Sequence, residues 1–295
     1  YGGSLAGGRL AGVQWSAALP TGARQATSWS VCEDESGVCL IEGEFYDSAW
    51  GYRPRPGRDD RLASLVKGAL QKAGIEQLNE LNGLYGGFAF LSAQNLLWAF
   101  VDHVGGRLLY YRSSQQGCEI SANIYGFSGG SKSLAIDPLG LSEQIIIGYP
   151  LRCRTLFRDV SLLPAGHVLE CRPGGQRLRR YFHPPRRESW RSLRQSAAII
   201  CDRLDQHVRS VGVDDDWGLM LSAGKDSRVI LGALLHAGFH PRAYTFYRRD
   251  EGKEYLRTRR LAAIAGVPLE EIRANEVNDS LLLYWDVAVL MDGST

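Results

Sequence analysis

The sequence predicts two domains of different fold class: a β-rich α+β domain over residues 1–182 and an α/β domain with a parallel sheet over residues 195–295. Short apolar runs separated by Gly, Asn, Asp and Pro fill the first part, a pattern typical of short strands joined by turns. From Ser192 onward, patterns of helical and strand period alternate, which indicates βαβ units. Between them, residues 183–194 carry paired Pro and several Arg and are interpreted as a linker.

The composition excludes several classes of protein. The chain has 295 residues, 44% of them hydrophobic and 22% charged, with a formal net charge of +2. That charge is too small to favour nucleic acid or an anionic membrane as a partner. No apolar run reaches the about 20 residues that span a bilayer, and the first residues lack the basic and apolar regions of a secretory signal. Six Cys without a CxxC pair predict reduced thiols, no zinc site and a cytoplasmic location.

The first domain is predicted to contain one helix among its strands. Strand patterns occur in VCLIEGEFYD, GLYGGFAFLS, NLLWAFVDHVGGRLLYY and GHVLECRPGG. The segment from Arg61 to Gly74 has apolar residues at helical spacing and a Gly at its end, which is a helix stop signal. The basic character of the linker extends back through Arg177, Arg179 and Arg180. It is interpreted as a solvated hinge rather than a nucleic-acid patch, because aromatic residues do not interleave it.

The second domain places a polar loop directly after a buried strand. The amphipathic segment SLRQSAAIICDRLDQHVRSV precedes the short strand WGLML, and the helix SRVILGALLHAG follows it. The strand PRAYTFY, a further helix and LEEIRAN come next. Because parallel sheets bind ligands at the carboxyl ends of their strands, the loop SAGKDS (Ser222 to Ser227) is the predicted ligand site.

The loop residues favour phosphate and a divalent cation. A helix N-terminus offers unpaired N–H groups, Gly224 permits close approach of the backbone, and Ser222 and Ser227 add hydroxyl donors. Asp226 would repel a phosphate unless a cation such as Mg²⁺ bridged them, and Lys225 could neutralise further negative charge. The simpler alternative is a capped helix whose Ser and Asp satisfy only its own first turn.

The loop and the first part of the chain each resemble a known family. LMLSAGKDSRVI is similar to the SGGxDS pyrophosphate loop of ATP pyrophosphatases, with Ala223 in place of one Gly. The first part resembles the glutaminase-like domain of asparagine synthetases through GEFYD, LNGLYGGFAFLS, VDHVGGRLLYY, ISANIYGFS and RTLFRDVSLLPAGHVLE, all in the family's order. The resemblance implies an Ntn-type β-sandwich glutaminase-like domain followed by an ATP-pyrophosphatase domain.

The departures from that family concern its glutaminase chemistry. Tyr1 would stand where the family has its N-terminal Cys nucleophile, and a phenol with a pKa near about 10 cannot readily replace a thiol. Glu42 replaces the oxyanion-stabilising Asn, and the glutamine-gripping HRGPD segment has no clear counterpart. Asp102 stands at the position of the family's amine-binding Asp, after Val101 instead of Arg. The resemblance thus implies a glutaminase-like domain that no longer hydrolyses glutamine.

The implied function is that of β-lactam synthetase and the lasso-peptide cyclases, which join a degenerate glutaminase domain to an adenylating domain. Such a ligase uses ATP and Mg²⁺ to activate a carboxylate, and an amine of a small molecule or peptide then attacks it. The residues expected to bind the phosphates of ATP and Mg²⁺ are Ser222, Ala223, Gly224, Lys225, Asp226 and Ser227. Asp226 is the expected metal ligand. Tyr244, Thr245 and Phe246 are expected near the adenine, and Glu254 is a weaker candidate.

Two other functions stay open from the sequence. One is a glutamine-dependent, asparagine synthetase-like amidotransferase, and the other is a non-catalytic scaffold with the family fold. The family's second acidic loop, SGEGSDE, has no match before Thr295, and the neighbours of Asp292 do not resemble it. We therefore expect the second domain to be incomplete at its C-terminus, with its missing half or a peptide-delivery partner supplied elsewhere.

Overall fold

The computed structural model describes residues 3–10, 13–20, 28–46, 57–58, 60–114, 117–127, 134–184, 192–211, 217–247 and 252–273. These residues fall into two compact units that divide between Pro185 and Arg186. Tyr1, residues 21–27 and most of the predicted linker lie outside the described residues. The domain limits that the sequence predicts therefore stay predictions.

The first unit is built mainly from antiparallel strands. Its strands are β1 (Gly3–Leu10), β2 (Val13–Pro20), β3 (Ser28–Asp34), β4 (Gly37–Phe45), β5 (Gly57–Arg58), β6 (Gly83–Leu91), β7 (Leu96–Val101), β8 (Tyr110–Ser114), β9 (Gly117–Ser121), β10 (Val160–Leu162), β11 (His167–Arg172) and β12 (Gly175–Arg180). Seven of them form one sheet in the order β12-β11-β7-β6-β4-β3-β5, and β10-β8-β9 form a smaller one. Only the short β3–β5 pairing in these two sheets is parallel.

Two helices and three 3-10 turns complete the described part of this unit. The helices are α1 (Asp60–Ala73) and α2 (Pro138–Ile147), and the 3-10 turns cover Ile75–Glu80, Ser92–Gln94 and Ile124–Phe127. The prediction of a helix from Arg61 to Gly74 is confirmed to within one residue at each end. Gly74 ends it because its φ of 81° is a conformation that a side chain would strain.

Helix α1 packs on one face of the large sheet and forms its main core. Leu62, Val66 and Leu70 recur at helical spacing and are at most 1% exposed. They lie in one cluster with Ile41 of β4 and Phe100 of β7. The alternation of buried and half-buried residues along β4 supplies the matching sheet face. This packing fixes the positions of β4, which carries Glu42, and of the end of β7, where Asp102 follows.

The second unit is a small α/β structure. Its helices are α3 (Leu193–Val211), α4 (Lys225–His236) and α5 (Lys253–Ala265), and its strands are β13 (Gly218–Met220), β14 (Arg242–Tyr247) and β15 (Leu269–Arg273). The strands pair in the order β13-β14-β15, all parallel, which confirms the predicted parallel sheet. Leu219, Leu231 and Ala243 form the centre of its core.

Helix α3 begins inside the predicted linker. The backbone N–H of Gln195 donates to Ser192 Oγ at 3.2 Å, and Ser192 N–H donates to Gln195 Oε1 at 3.0 Å. This reciprocal pair is a capping box, which satisfies two otherwise unpaired donors at the helix start. The last two residues of the predicted linker, Leu193 and Arg194, are therefore helical.

Candidate functional site

A cavity of about 680 Å³ lies at the carboxyl ends of β13 and β14 and beside the start of α5. Its volume is within the about 300–1,000 Å³ that small-molecule sites usually have. The residues lining it come from three elements of the second unit: Met220, Leu221, Ser222, Thr245, Phe246, Tyr247, Gly252, Glu254, Tyr255 and Thr258. The site therefore lies where ligands of open parallel sheets bind.

Two serines close the loop between β13 and α4. The Ser227 hydroxyl donates to the carbonyl of Ser222 at 3.0 Å and accepts the N–H of Ser222 at 3.1 Å. Ser222 Oγ in turn accepts the N–H of Gly224 at 3.1 Å. These bonds hold the loop in a single compact turn, with Ser222 at the cavity and Ser227 inside the first turn of α4. The conformation of the loop is thus fixed by hydrogen bonds among its own residues.

The two charged residues of the loop, Lys225 and Asp226, do not line the cavity. Lys225 and Asp226 are exposed, and neither side chain has an ion pair or hydrogen bond to another described residue. Both stand in the first turn of α4, outside the residues that line the cavity. Asp226 at this position also interacts favourably with the helix dipole, as the simpler capping interpretation of the loop requires. The roles predicted for both residues stay predictions.

Helices α4 and α5 both start without a side-chain cap. Gly224 is the N-cap of α4 and Gly252 the N-cap of α5, and neither has a side chain that could accept a backbone N–H. The first N–H groups of each helix are consequently open to an anion. Gly252 lines the cavity itself, and Glu254 follows two residues later at the same edge. The cavity lining therefore combines the uncapped start of α5 with the carboxylate of Glu254.

Of the predicted adenine-side residues, Thr245 and Phe246 line the cavity, and Tyr244 does not. The carbonyl of Tyr244 accepts the N–H of Leu221 at 2.8 Å, and its ring lies over Gly218, where an added Cβ would come within 2.6 Å of the ring. Tyr244 thus holds β13 against β14 instead of facing a ligand. Tyr247, at the end of the same strand, lines the cavity although the sequence did not predict it.

The sequence interpretation missed most of the α5 wall. Tyr255 and Thr258 line the cavity, and Glu254 had been only a weak candidate. The helical spacing of the sequence could have identified these residues. Thr258 lies three and four positions after Tyr255 and Glu254, so the three residues are neighbours on the surface of the first turns of α5. A helix that begins just after a parallel strand directs that face towards the strand's carboxyl end.

In the first unit, Asp102 lies fully buried at the end of β7. Its carboxylate accepts the backbone N–H of Val104, Gly105 and Gly106 on Oδ1, at 2.8, 2.7 and 3.1 Å. It also accepts those of Tyr85 and Arg107 on Oδ2, at 3.1 and 3.2 Å. The Asp102 carboxylate thus accepts five main-chain hydrogen bonds, whereas the resemblance implied that it binds the amine of a ligand.

Glu42, on β4, is mostly buried, and this burial raises the pKa of its carboxyl group while the nearby Arg107 guanidinium opposes the rise. A protonated Glu42 carries no charge, so it would not repel a developing oxyanion as an ionised one would. The expectation of no glutamine hydrolysis still depends on the departures at Tyr1, at Glu42 and in the HRGPD segment. The side chains of residues 1–28, where the nucleophile would lie, are outside those that the structure describes.

Two further observations limit the chemistry. Among the described residues, no group of three or more His, Cys, Asp or Glu side chains is arranged to hold a metal ion. In the same parts of the chain, every helix is too short or too polar to cross a bilayer. A magnesium site at this loop would accordingly depend on Asp226 and on oxygens that a ligand brings with it.

Residues 63–182 match a family described as a glutamine amidotransferase domain. Comparison with curated proteins gives no match. A solved structure of glutamine phosphoribosylpyrophosphate (PRPP) amidotransferase from B. subtilis, complexed with ADP and GMP, is 11% identical with a TM-score of 0.30. That match covers 87% of this chain and 50% of the other, so the chain spans half the length of that structure. The predicted glutaminase-like character of the first part is confirmed as a glutamine amidotransferase-type domain.

Proposed function

We propose that this chain is an ATP-dependent ligase that forms an amide bond without hydrolysing glutamine, as β-lactam synthetase and the lasso-peptide cyclases do. The observation that carries the proposal is the cavity of about 680 Å³ at the carboxyl ends of two parallel strands, with Ser222 at its edge. The similarity to the asparagine synthetase family supports the same assignment through the sequence of the loop, SAGKDS.

The residues present fit a magnesium-bound nucleotide. The uncapped starts of α4 and α5 supply N–H donors for phosphate oxygens, and Lys225 adds a positive charge. Asp226 is exposed in the first turn of α4, where one carboxylate plus phosphate oxygens is the usual environment of protein-bound Mg²⁺. Ser222 and Ser227 hold the loop in the shape that presents these groups.

The proposed reaction uses ATP as a co-substrate. A carboxylate of the substrate displaces pyrophosphate from ATP, and an amine of the same or a second substrate then displaces AMP and forms the amide. In this scheme the chain contributes positioning and electrostatic stabilisation of the leaving phosphates. The exposed Phe246 and Met220 give the same cavity an apolar wall for the rest of the substrate.

The test is calorimetric titration of the full chain with ATP and Mg²⁺, compared with Asp226→Asn. We expect binding that the substitution weakens at least tenfold, which is about 1.4 kcal/mol. Asp202→Asn is the matched control, because Asp202 is equally exposed but lies on α3, away from the cavity. A folded protein that binds no ATP would contradict the proposal and favour a non-catalytic scaffold.

The domain match over residues 63–182 favours a second candidate, a glutamine-dependent amidotransferase. The two candidates differ in whether glutamate appears when the protein is incubated with glutamine. We expect no glutamate above the background of a heat-inactivated sample, because of the departures at Tyr1, at Glu42 and in the HRGPD segment. Release of one glutamate per amide formed would establish the second candidate instead.

A further inference from the structure

Two tyrosines form an ordered stack at the wall of the cavity. The rings of Tyr247, at the end of β14, and Tyr255, in the first half of α5, have centroids 4.3 Å apart and planes 17° apart. Both line the cavity. We call this pair the tyrosine stack. Parallel rings at this distance present a flat aromatic surface whose position depends on both secondary-structure elements.

The far side of the tyrosine stack is anchored by an ion pair. The Arg259 guanidinium lies 5.7 Å from the centroid of the Tyr255 ring, within the range of a cation–π contact. Arg259 Nε is 2.8 Å from Glu271 Oε1 on β15, so the cation is itself fixed. One face of Tyr255 is thus covered by Tyr247, and Arg259 approaches the ring from its own helix. Glu271, Arg259, Tyr255 and Tyr247 form a connected series that ends at the cavity.

The outer face of Tyr247 makes no ring or cation contact with another described residue. Tyr247 is half-buried and lines the same cavity as Ser222, which lies in the loop after β13. A planar group entering the cavity would continue the stack on Tyr247. A purine or pyrimidine base stacks on aromatic side chains in this way, and its gain per base corresponds to roughly 5- to 150-fold in affinity.

We propose that Tyr247 is the stacking platform for the base of the bound nucleotide, and that Arg259 and Glu271 are positioning residues which hold Tyr255 behind it. This inference rests on the proposed nucleotide-binding function of the cavity. It differs from the sequence-based expectation, which placed the base at Tyr244, Thr245 and Phe246. It also predicts that the base and the phosphates make separable contributions to binding.

The experiment compares Mg²⁺-ATP with Mg²⁺-tripolyphosphate, which has the same phosphate chain but no base or ribose. Both are titrated calorimetrically into the full chain and into Tyr247→Leu and Tyr247→Phe. We expect Tyr247→Leu to weaken ATP binding about tenfold and to leave tripolyphosphate binding unchanged. Tyr247→Phe should retain the affinity for ATP, since it keeps the ring. Tyr149→Leu removes an exposed tyrosine of the first unit and serves as the control.

The positioning role has its own readout. Arg259→Gln should lower the affinity for ATP by about threefold, again without change for tripolyphosphate, because it loosens the ring behind Tyr247 without removing the platform. Thermal melting of each variant checks that the fold is kept. Equal losses for both ligands, or no loss for ATP in Tyr247→Leu, would overturn this inference alone. A wild-type chain that binds neither ligand would overturn the proposed function as well.

Discussion

The two units use their loop carboxylates in opposite ways. In the first unit, Asp102 is fully buried and its oxygens accept five main-chain N–H groups. In the second, Asp226 is exposed and bonds to no other described residue. A carboxylate whose bonding capacity is used by the fold stabilises a loop, whereas one that is left open is available to a ligand. Asp102 therefore has a structural role in the first unit, whereas Asp226 is available to the ligand that we propose for the second.

The largest effect is expected from truncating the carboxylate of Asp102, with the same truncation at Asp226 as the comparison. Asp102→Ala would leave several buried N–H donors without partners, and we expect it to lower the free energy of unfolding by about 3 kcal/mol or more. Asp226→Ala should change it by less than about 0.5 kcal/mol, as surface substitutions usually do. Urea unfolding followed by circular dichroism measures both. Similar losses for the two variants would remove the contrast between the units.

A second prediction concerns two glycines of the second unit. Gly218→Ala would place a Cβ 2.6 Å from the Tyr244 ring, so β13 and β14 must separate slightly. We expect a loss of about 1–2 kcal/mol in the free energy of unfolding. Gly232→Ala is the matched control, because nothing lies within 4 Å of its added Cβ and it is in the middle of α4.

The control should stabilise the unit by about 0.5–1 kcal/mol through helix propensity. Thermal unfolding monitored at 222 nm distinguishes the two signs. If both variants melted at the wild-type temperature, the packing of Tyr244 between the strands would not be a determinant of stability.

The third prediction uses pH to examine an ion pair of the first unit. Lys67 Nζ is buried and lies 2.6 Å from Asp34 Oδ2. The hydrogen bond from Lys67, followed by that from Ser36, lowers the pKa of Asp34 from 3.8 to about 2. Because the folded pKa is the lower one, the stabilisation is present above about pH 3.8 and is lost as the pH falls towards 2.

The Asp34 side chain is 54% exposed, so solvent screening reduces the contribution to about 1 kcal/mol. Asp34→Asn should therefore be less stable than the wild type at pH 6 and nearly equal to it at pH 2. Urea midpoints at the two pH values provide the measurement. A constant difference between the two proteins across this range would show that Asp34 does not titrate with folding.

The smallest expected effect, with no change in stability, is a difference in thiol reactivity. Cys39 on β4 is fully buried, and this burial raises the pKa of its thiol. Cys201 on α3 is exposed. We expect Ellman's reagent to modify Cys201 first in the native protein and Cys39 only when the first unit unfolds. Cys201→Ser should remove the fastest phase, and Cys39→Ser should leave it unaltered.

Much of the fold was predictable because it depends on local patterns. The period of apolar residues in α1 and the Gly at position 74 predicted a helix that the structure confirms. The alternation of strands and helices after Ser192 likewise predicted the parallel sheet. Each of these features is encoded within a window of a few residues, so one sequence is enough to read it.

The candidate site was predictable only in part. The strand–loop–helix pattern placed Ser222 at the cavity. Which tyrosine of β14 lines the cavity, Tyr247 and not Tyr244, depends on where that strand ends. The five N–H groups around Asp102 also escaped prediction, because one of them comes from Tyr85 on the neighbouring strand β6. Contacts of this kind arise from the pairing of distant segments, and no local pattern in a single sequence records them.

The order of the strands also has a consequence for the speed of folding. In the second unit, β13, β14 and β15 neighbour one another in the order in which they occur along the chain. In the first, β11 must find β7, with Val168 opposite Phe100, across a long intervening segment that forms its own sheet. Chains in which distant segments pair fold more slowly, because a larger loop has to close before the stabilising contacts form. During refolding, the cavity of the second unit should therefore form before the large sheet of the first unit is complete.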